Sequence, residues 1–131
     1  MSRVTEGRFR ILGLDHVQIT TPREFEQDVV AWYRDVLGLT EVTKPEGTRS
    51  GGAWFQVGWA ELHISIDKHN PPKAAHFGLV VDEFEAVIER LREAGCHIEQ
   101  AMATPGRERF YTRDPAGNRV EIGHLDEQGG P

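Results

Sequence analysis

Two histidines and two glutamates recur at matching intervals along the chain. His16 and His76 lie 60 positions apart, as do Glu61 and Glu121, and each histidine precedes its glutamate by 45 positions. Imidazole and carboxylate groups together form a common ligand set for divalent Zn, Ni, Mn or Fe. The spacing therefore predicts one metal site to which each half of the chain contributes a histidine and a glutamate.

Strand-like alternation places these residues on one face. Residues 14–20, 60–66, 76–81 and 119–123 alternate between two classes of side chain, as half-buried strands do. The apolar residues of these segments must pack on something, and two amphipathic helices are the available partners. The opposite face then carries a polar set that suits a cleft better than a dry core: His16, Gln18, Glu61, His63, Ser65, His76, Arg119 and Glu121.

The two helices divide the chain into similar halves. Thr21 and Glu24 have the spacing of a capping box before the first helix, Asp82 is the expected cap of the second, and Gly38 and Gly95 are the expected terminators. The element order is thus β-α-β-β-β, repeated once. We predict an α+β fold of two βαβββ modules, with mixed sheets forming a metal-binding cleft and helices on the outer face. The single domain, 1–131, divides into module 1 at about 13–66, a linker at 67–75 and module 2 at about 76–125.

Composition excludes several classes of partner. The 131-residue chain has a net charge of −6, which disfavours nucleic acid and anionic membranes. Its one cysteine, Cys96, rules out an internal disulfide, and residues 1–10 lack the apolar core of a signal peptide. We expect a cytoplasmic protein.

Each histidine also has a simpler interpretation. A single histidine on a strand is more often a hydrogen-bonded structural residue than a ligand, and a strand glutamate usually faces solvent. The metal hypothesis depends on the joint pattern of four residues. The three histidines outside that pattern and off its polar face are interpreted as surface residues: His69, His97 and His124.

Four segments resemble the vicinal oxygen chelate superfamily, which includes glyoxalase I, fosfomycin-resistance transferases, extradiol dioxygenases and bleomycin-binding proteins. In chain order they are LDHV at 14–17, WYRDVLGL at 32–39, AHFGLVVD at 75–82 and DPAGNRVE at 114–121. The resemblance covers nearly the whole chain and implies paired βαβββ modules around one metal ion. It also implies a homodimer, with modules paired within or across chains.

The resemblance assigns roles to the matching positions. It implies metal ligands at His16, His76 and Glu121, with Glu61 as the fourth and His63 as its rival on the same strand face. It further implies a lyase, isomerase or dioxygenase in which the metal chelates two neighbouring oxygens of a small substrate. A glutamate that leaves the metal, Glu121 or Glu61, would then be the catalytic base.

Further residues are candidates for substrate contact. Side chains that flank the expected cleft are Trp54, Phe55, Arg107, Arg109 and Tyr111. An alternative hypothesis is a protein that binds an antibiotic or small aromatic molecule without catalysis, with Trp54, Phe55 and Trp59 forming its pocket. The full metal set favours the enzyme over this binding protein.

Overall fold

Two four-stranded mixed sheets with the same strand plan form the protein. The computed structural model describes residues 9–69, 74–102, 105–106 and 108–124. The first sheet, in spatial order β1-β4-β3-β2, contains β1 (His16–Thr21), β2 (Thr40–Val42), β3 (Ala53–Val57) and β4 (Ala60–Ile66). The second, in order β5-β8-β7-β6, contains β5 (His76–Val81), β6 (Glu99–Gln100), β7 (Arg109–Arg113) and β8 (Arg119–His124). In both sheets the first strand runs parallel to the last and the other pairs are antiparallel. The predicted α+β class with two modules is confirmed.

The helices begin later than the sequence predicts. A 3-10 turn at Arg23–Phe25 leads into α1 (Glu26–Ala31), which continues as a π-helical turn at Trp32–Val36. The predicted Thr21 cap is wrong, because Thr21 ends β1 and its hydroxyl donates to the Pro22 carbonyl. The second helix, α2, spans Phe84–Glu93 with Glu83 rather than Asp82 at the N-cap position, so that predicted cap is also wrong.

Two glycines end the helical segments as predicted. Gly38 has a φ of 73° and Gly95 a φ of 77°, left-handed values that favour glycine after a helix. Within the described ranges, no helix has both the length and the apolar character needed to cross a bilayer.

One apolar core joins both modules. Alternate residues of each sheet face it, including Leu62 and Ile64 of β4 and Val120 and Ile122 of β8. The helices cover the same core through Val29, Trp32, Tyr33 and Leu91. The polar residues of β1, β4, β5 and β8 therefore lie on the opposite face, as their alternation predicts.

A buried polar network links the modules. The Tyr33 hydroxyl donates to Asp114 Oδ2 at 2.7 Å, and the backbone amides of Ala116 and Asn118 donate to Asp114 Oδ1. The Asn118 side chain donates to Asp114 and also to the Thr20 carbonyl at 3.0 Å. Burial raises the pKa of Tyr33 well above its usual value, and the charge of Asp114 and their hydrogen bond reinforce this. The turn between β7 and β8 is therefore part of the contact between modules.

His69 is a second link between the modules. Its Nε2 donates to the Ala116 carbonyl at 2.7 Å, and the Thr20 hydroxyl lies 2.8 Å from its Nδ1. The side chain is half-buried. The interpretation of His69 as a surface residue is wrong, because the segment after β4 passes across the β7–β8 turn.

Candidate metal centre

The second module holds a histidine and a glutamate in direct contact. His76 begins β5, and Glu121 lies in β8 opposite Gly78, so the two side chains are diagonal neighbours on one face of a parallel strand pair. His76 Nε2 lies 3.1 Å from Glu121 Oε1. The Nδ1 of the same ring lies 2.8 Å from the Ala74 carbonyl oxygen. We call His76 and Glu121 the second half-site.

The protonation of this histidine follows from its partners. A carbonyl oxygen only accepts hydrogen bonds, so Nδ1 carries the proton that it donates to Ala74. If the ring is neutral, Nε2 then presents a lone pair to the Glu121 carboxylate. Two acceptors at this distance require a cation between them, either a proton or a metal ion. Imidazole and carboxylate are both zinc ligands, so the chemistry of this pair fits a metal ion.

Charged and aromatic side chains surround the second half-site. Arg109 lies 3.5 Å from Glu121 Oε1 and donates to the Tyr111 hydroxyl at 3.4 Å. The Arg119 guanidinium lies 3.7 Å from the centre of the Tyr111 ring and 3.6 Å from Glu99. Tyr111 also contacts His76 edge to face, with ring centroids 5.0 Å apart. These contacts order the half-site mainly through charge.

The first module places a second histidine and glutamate on the corresponding strands, in a different register from His76 and Glu121. His16 begins β1 and pairs in register with Glu61 on β4. His16 Nδ1 donates a hydrogen bond to Asp15 Oδ2 at 2.8 Å, so Nε2 is the ring nitrogen left to bind a metal. Histidines that bind metals usually donate their other ring nitrogen to an oxygen in this way, and both His16 and His76 do so. We call His16 and Glu61 the first half-site.

His63, the rival ligand, contacts both members of the first half-site. Its side chain is stacked between Trp54 and His16, with centroid distances of 3.7 Å and 4.2 Å. Its Nε2 lies 2.8 Å from Glu61 Oε1. The residue as a whole is only 6% exposed.

Within one chain the two half-sites do not merge. Among the described residues, no three histidine, cysteine or acidic side chains converge in a group that could hold a metal ion. The histidine side chains stay accessible, at 42% exposed for His16 and 31% for His76. A single chain thus presents two separate pairs of potential ligands.

The candidate substrate residues occupy different environments. Trp54, Arg109 and Tyr111 are half-buried beside the half-sites. Phe55 lies elsewhere than expected: it is fully buried in the core against Tyr33, because its strand parity is opposite to that of Trp54. Arg107 lies outside the described residues.

Two residues near the half-sites were not among the candidates from the sequence. Asp15 contacts His16, and a carboxylate directly before a candidate ligand was an available signal. Arg119 was placed on the polar face by its parity, but its stacking on Tyr111 depends on the pairing of β7 with β8.

Comparison with known proteins agrees with this architecture. Residues 13–122 match the model of the glyoxalase/bleomycin resistance protein/dioxygenase superfamily. The chain therefore belongs to that superfamily. No curated protein sequence matches it significantly.

Solved structures with the same fold include enzymes and resistance proteins. A glyoxalase family protein from Bacillus anthracis is 36% identical, with a TM-score of 0.83 over 89% of this chain and 98% of the other. Lactoylglutathione lyase from Agrobacterium tumefaciens is 23% identical, with a TM-score of 0.71 over 93% and 100%. A fosfomycin resistance protein from Listeria monocytogenes is 13% identical, with a TM-score of 0.72 over 91% and 98%. The last two similarities concern the fold alone.

Proposed function

We propose that the protein is a metal-dependent lyase, isomerase or dioxygenase acting on a small molecule with two neighbouring oxygen atoms. The observation that carries this proposal is the contact between His76 Nε2 and Glu121 Oε1 at 3.1 Å, with Nδ1 of the same ring anchored on Ala74. The ligand set is His16, Glu61, His76 and Glu121. It suits Zn, Ni, Mn or Fe, since imidazole and carboxylate bind all four metals.

The residues of the chain have distinct roles in this proposal. When bound, the metal ion supplies Lewis-acid stabilisation of negative charge on the chelated substrate oxygens. Asp15 and the Ala74 carbonyl orient the two histidines so that Nε2 faces the site. Glu121 or Glu61 accepts a substrate proton as general base. Trp54, Arg109 and Tyr111 border the site and contact the substrate.

We further propose that the working unit is a homodimer in which each metal site joins the first half-site of one chain to the second half-site of its partner. Two observations support this assembly. The half-sites are separate within a chain, and β1 and β5, which carry the histidines, are both sheet edges. Exposed apolar side chains next to β1 offer surface for the contact: Ile11, Leu12 and Leu14. We place this dimer in the cytoplasm, where Cys96 remains a free thiol.

Metal content tests the enzyme proposal. Protein purified without added metal should contain close to one equivalent of a transition metal per chain. His76→Ala should lose it and keep its fold, whereas the exposed His97→Ala should keep both. Wild-type protein with less than about a tenth of an equivalent, and with no tight binding of added metal, would contradict the proposal.

Mixing two inactive variants tests the dimer. His16→Ala and His76→Ala each damage one half-site, so neither homodimer has an intact metal site. After unfolding and refolding together, half of the dimers pair the two variants and hold one intact site, giving about one metal ion per four chains. Mass spectrometry shows whether mixed dimers have formed. If they form and still bind no metal, both half-sites of one metal centre lie within a single chain.

The alternative is a binding protein without catalysis. Of the aromatic residues that suggested it, Trp54 borders a half-site, Phe55 is buried in the core, and Trp59 is 71% exposed at the β3–β4 turn. Only Trp54 therefore supports a pocket at the half-sites. Tight binding of a small aromatic molecule by metal-free protein, detected by tryptophan fluorescence, would favour this alternative.

A further inference from the structure

We infer that His63 is a positioning residue that holds both ligands of the first half-site, and that it is not itself a metal ligand. The inference rests on the proposed metal site and assigns a role within it. Its basis is that one buried side chain contacts the His16 ring and the Glu61 carboxylate at the same time.

The first contact is a stack of three rings from adjacent strands. Trp54 on β3 lies against His63 on β4 at 3.7 Å with 5° between the ring planes. His63 in turn lies against His16 on β1 at 4.2 Å with 16° between the planes. Because His63 fills the space between Trp54 and His16, it limits the rotamers that His16 can adopt.

The second contact is polar. A carboxylate only accepts hydrogen bonds, so His63 Nε2 carries a proton and donates it to Glu61 Oε1 at 2.8 Å. In this contact Nε2 is directed at Glu61. The bond leaves the other oxygen of Glu61 available as a ligand. His16 differs, because its contact with a carboxylate, that of Asp15, is made through Nδ1.

The burial of His63 agrees with support rather than ligation. Its side chain is 8% exposed, whereas the His16 side chain is 42% exposed. A ligand at an interface between two half-sites must reach the shared metal, and the more accessible ring is His16. Groups that orient metal ligands typically contribute about 10- to 100-fold in metal affinity.

Three substitutions separate the two contacts of His63. His63→Phe keeps an aromatic ring in the stack and removes the hydrogen-bond donor. His63→Gln keeps a donor within reach of Glu61 and removes the ring. His63→Ala removes both, and Trp54→Phe is the matched control that keeps a ring against position 63.

Co²⁺ alone is the probe, and calorimetry, visible absorption and thermal unfolding without metal are the readouts. We expect His63→Phe and His63→Gln each to bind Co²⁺ about 10-fold more weakly than the wild type, and His63→Ala up to about 100-fold more weakly. Stoichiometry and the shape of the Co²⁺ absorption bands should stay as in the wild type. Trp54→Phe should change the Co²⁺ affinity by less than His63→Phe or His63→Gln does. The loss of affinity in His63→Phe should exceed what its melting temperature explains, which separates positioning from general stability.

Two results would overturn the inference. If His63→Phe and His63→Gln alter the Co²⁺ bands or abolish stoichiometric binding, His63 is a ligand. If both bind Co²⁺ as tightly as the wild type, His63 does not position the half-site. Failure of the proposed function looks different, because the unmodified protein would then bind no Co²⁺, and the role of His63 would fall with it.

Discussion

The two half-sites share a strand plan and differ in what supports it. In the first, the histidine and the glutamate are held by a stack of rings and one hydrogen bond. In the second, Glu121 lies between His76 and Arg109, and a further arginine, Arg119, stacks on Tyr111. The two pairs differ in register, since His16 pairs directly with Glu61 whereas Glu121 pairs with Gly78, two residues after His76. Ring stacking supports the first pair and charge supports the second.

The residues that follow the two glutamates contribute to this difference. His63 follows Glu61 by two residues and pairs with Trp54, whereas Gly123 follows Glu121 by two residues and pairs with Arg109. Gly123 has no side chain, so nothing fills the place that His63 fills in the first module. Arg109 contacts Glu121 instead. The residue two positions after each glutamate thus differs between the modules, a histidine in the first and a glycine in the second.

The two hairpin turns differ as strongly. The β3–β4 turn exposes Trp59, which is 71% accessible, while the β7–β8 turn buries Asp114, which is 4% accessible. Asp114 accepts hydrogen bonds from Tyr33 of the first module and from its own turn. The second module therefore supplies the polar centre of the contact between modules.

The largest effect is expected from Asp114→Ala. Removing this acceptor leaves the buried Tyr33 hydroxyl and two part-buried turn amides without a partner, at a cost of roughly 3 kcal/mol in the free energy of unfolding. Chemical denaturation followed by circular dichroism measures this cost. Trp59→Ala, in the turn of the first module, should cost less than about 1 kcal/mol, because most of its side chain is in water. Equal losses would show that the two turns contribute alike.

Substituting the glutamates compares the half-sites directly. Glu61→Gln and Glu121→Gln should each weaken Co²⁺ binding by about 100-fold, or about 2.7 kcal/mol, because a neutral amide is a poorer ligand than a carboxylate. Titration calorimetry gives the two dissociation constants. An unchanged constant for Glu61→Gln with a large change for Glu121→Gln would mean that only the second glutamate binds the metal.

Tyr33→Phe tests the same link between the modules and should have a smaller effect on stability than Asp114→Ala. It removes the hydrogen bond to Asp114 and should lower the free energy of unfolding by about 1–2 kcal/mol at neutral pH. The pKa of Tyr33 is raised in the fold, so its contribution is complete below the unfolded tyrosine value of about 10 and is lost as the pH rises above it. The difference between wild type and variant, followed by denaturant titration, should therefore shrink above about pH 10.

A control variant tests whether the loss of any tyrosine hydroxyl destabilises the protein as much as Tyr33→Phe does. Tyr111→Phe removes a hydroxyl that accepts a long hydrogen bond from Arg109 at 3.4 Å in a half-buried setting. Its cost should be smaller than that of Tyr33→Phe. The reverse order would contradict a special role for the Tyr33 contact with Asp114.

The smallest effect concerns ionic strength. Arg109→Met removes the cation beside Glu121 and should change Co²⁺ affinity by only a few-fold, since a partly exposed ion pair contributes about 1 kcal/mol or less. This change should diminish between low and high salt because ions screen the pair. The change caused by His63→Phe should persist in high salt, because burial protects the contact that it removes. The same salt response in both variants would remove the distinction between charge and stacking.

The limits of prediction from sequence are clearest at His63 and Phe55. Parity correctly put His63 on the polar face, and it also separates Phe55 from Trp54, yet Phe55 was proposed for substrate contact because it flanks the expected cleft. The stacking of His63 between Trp54 and His16 depends on the register of three strands. That register brings together His16 and His63, which are 47 positions apart, and a local sequence pattern cannot predict such a contact.

The sequence by itself determined the two βαβββ modules, the glycines that end their helices and the shared polar face of His16, Glu61, His76 and Glu121. These features follow from periodicity and backbone preference within short segments. Only the tertiary structure decided that the four residues form two separate half-sites, that His63 lies buried between two rings, and that Tyr33 meets Asp114. The physical reason is that these contacts arise from packing between segments distant in the chain, where side-chain volume and hydrogen-bond partners select one arrangement.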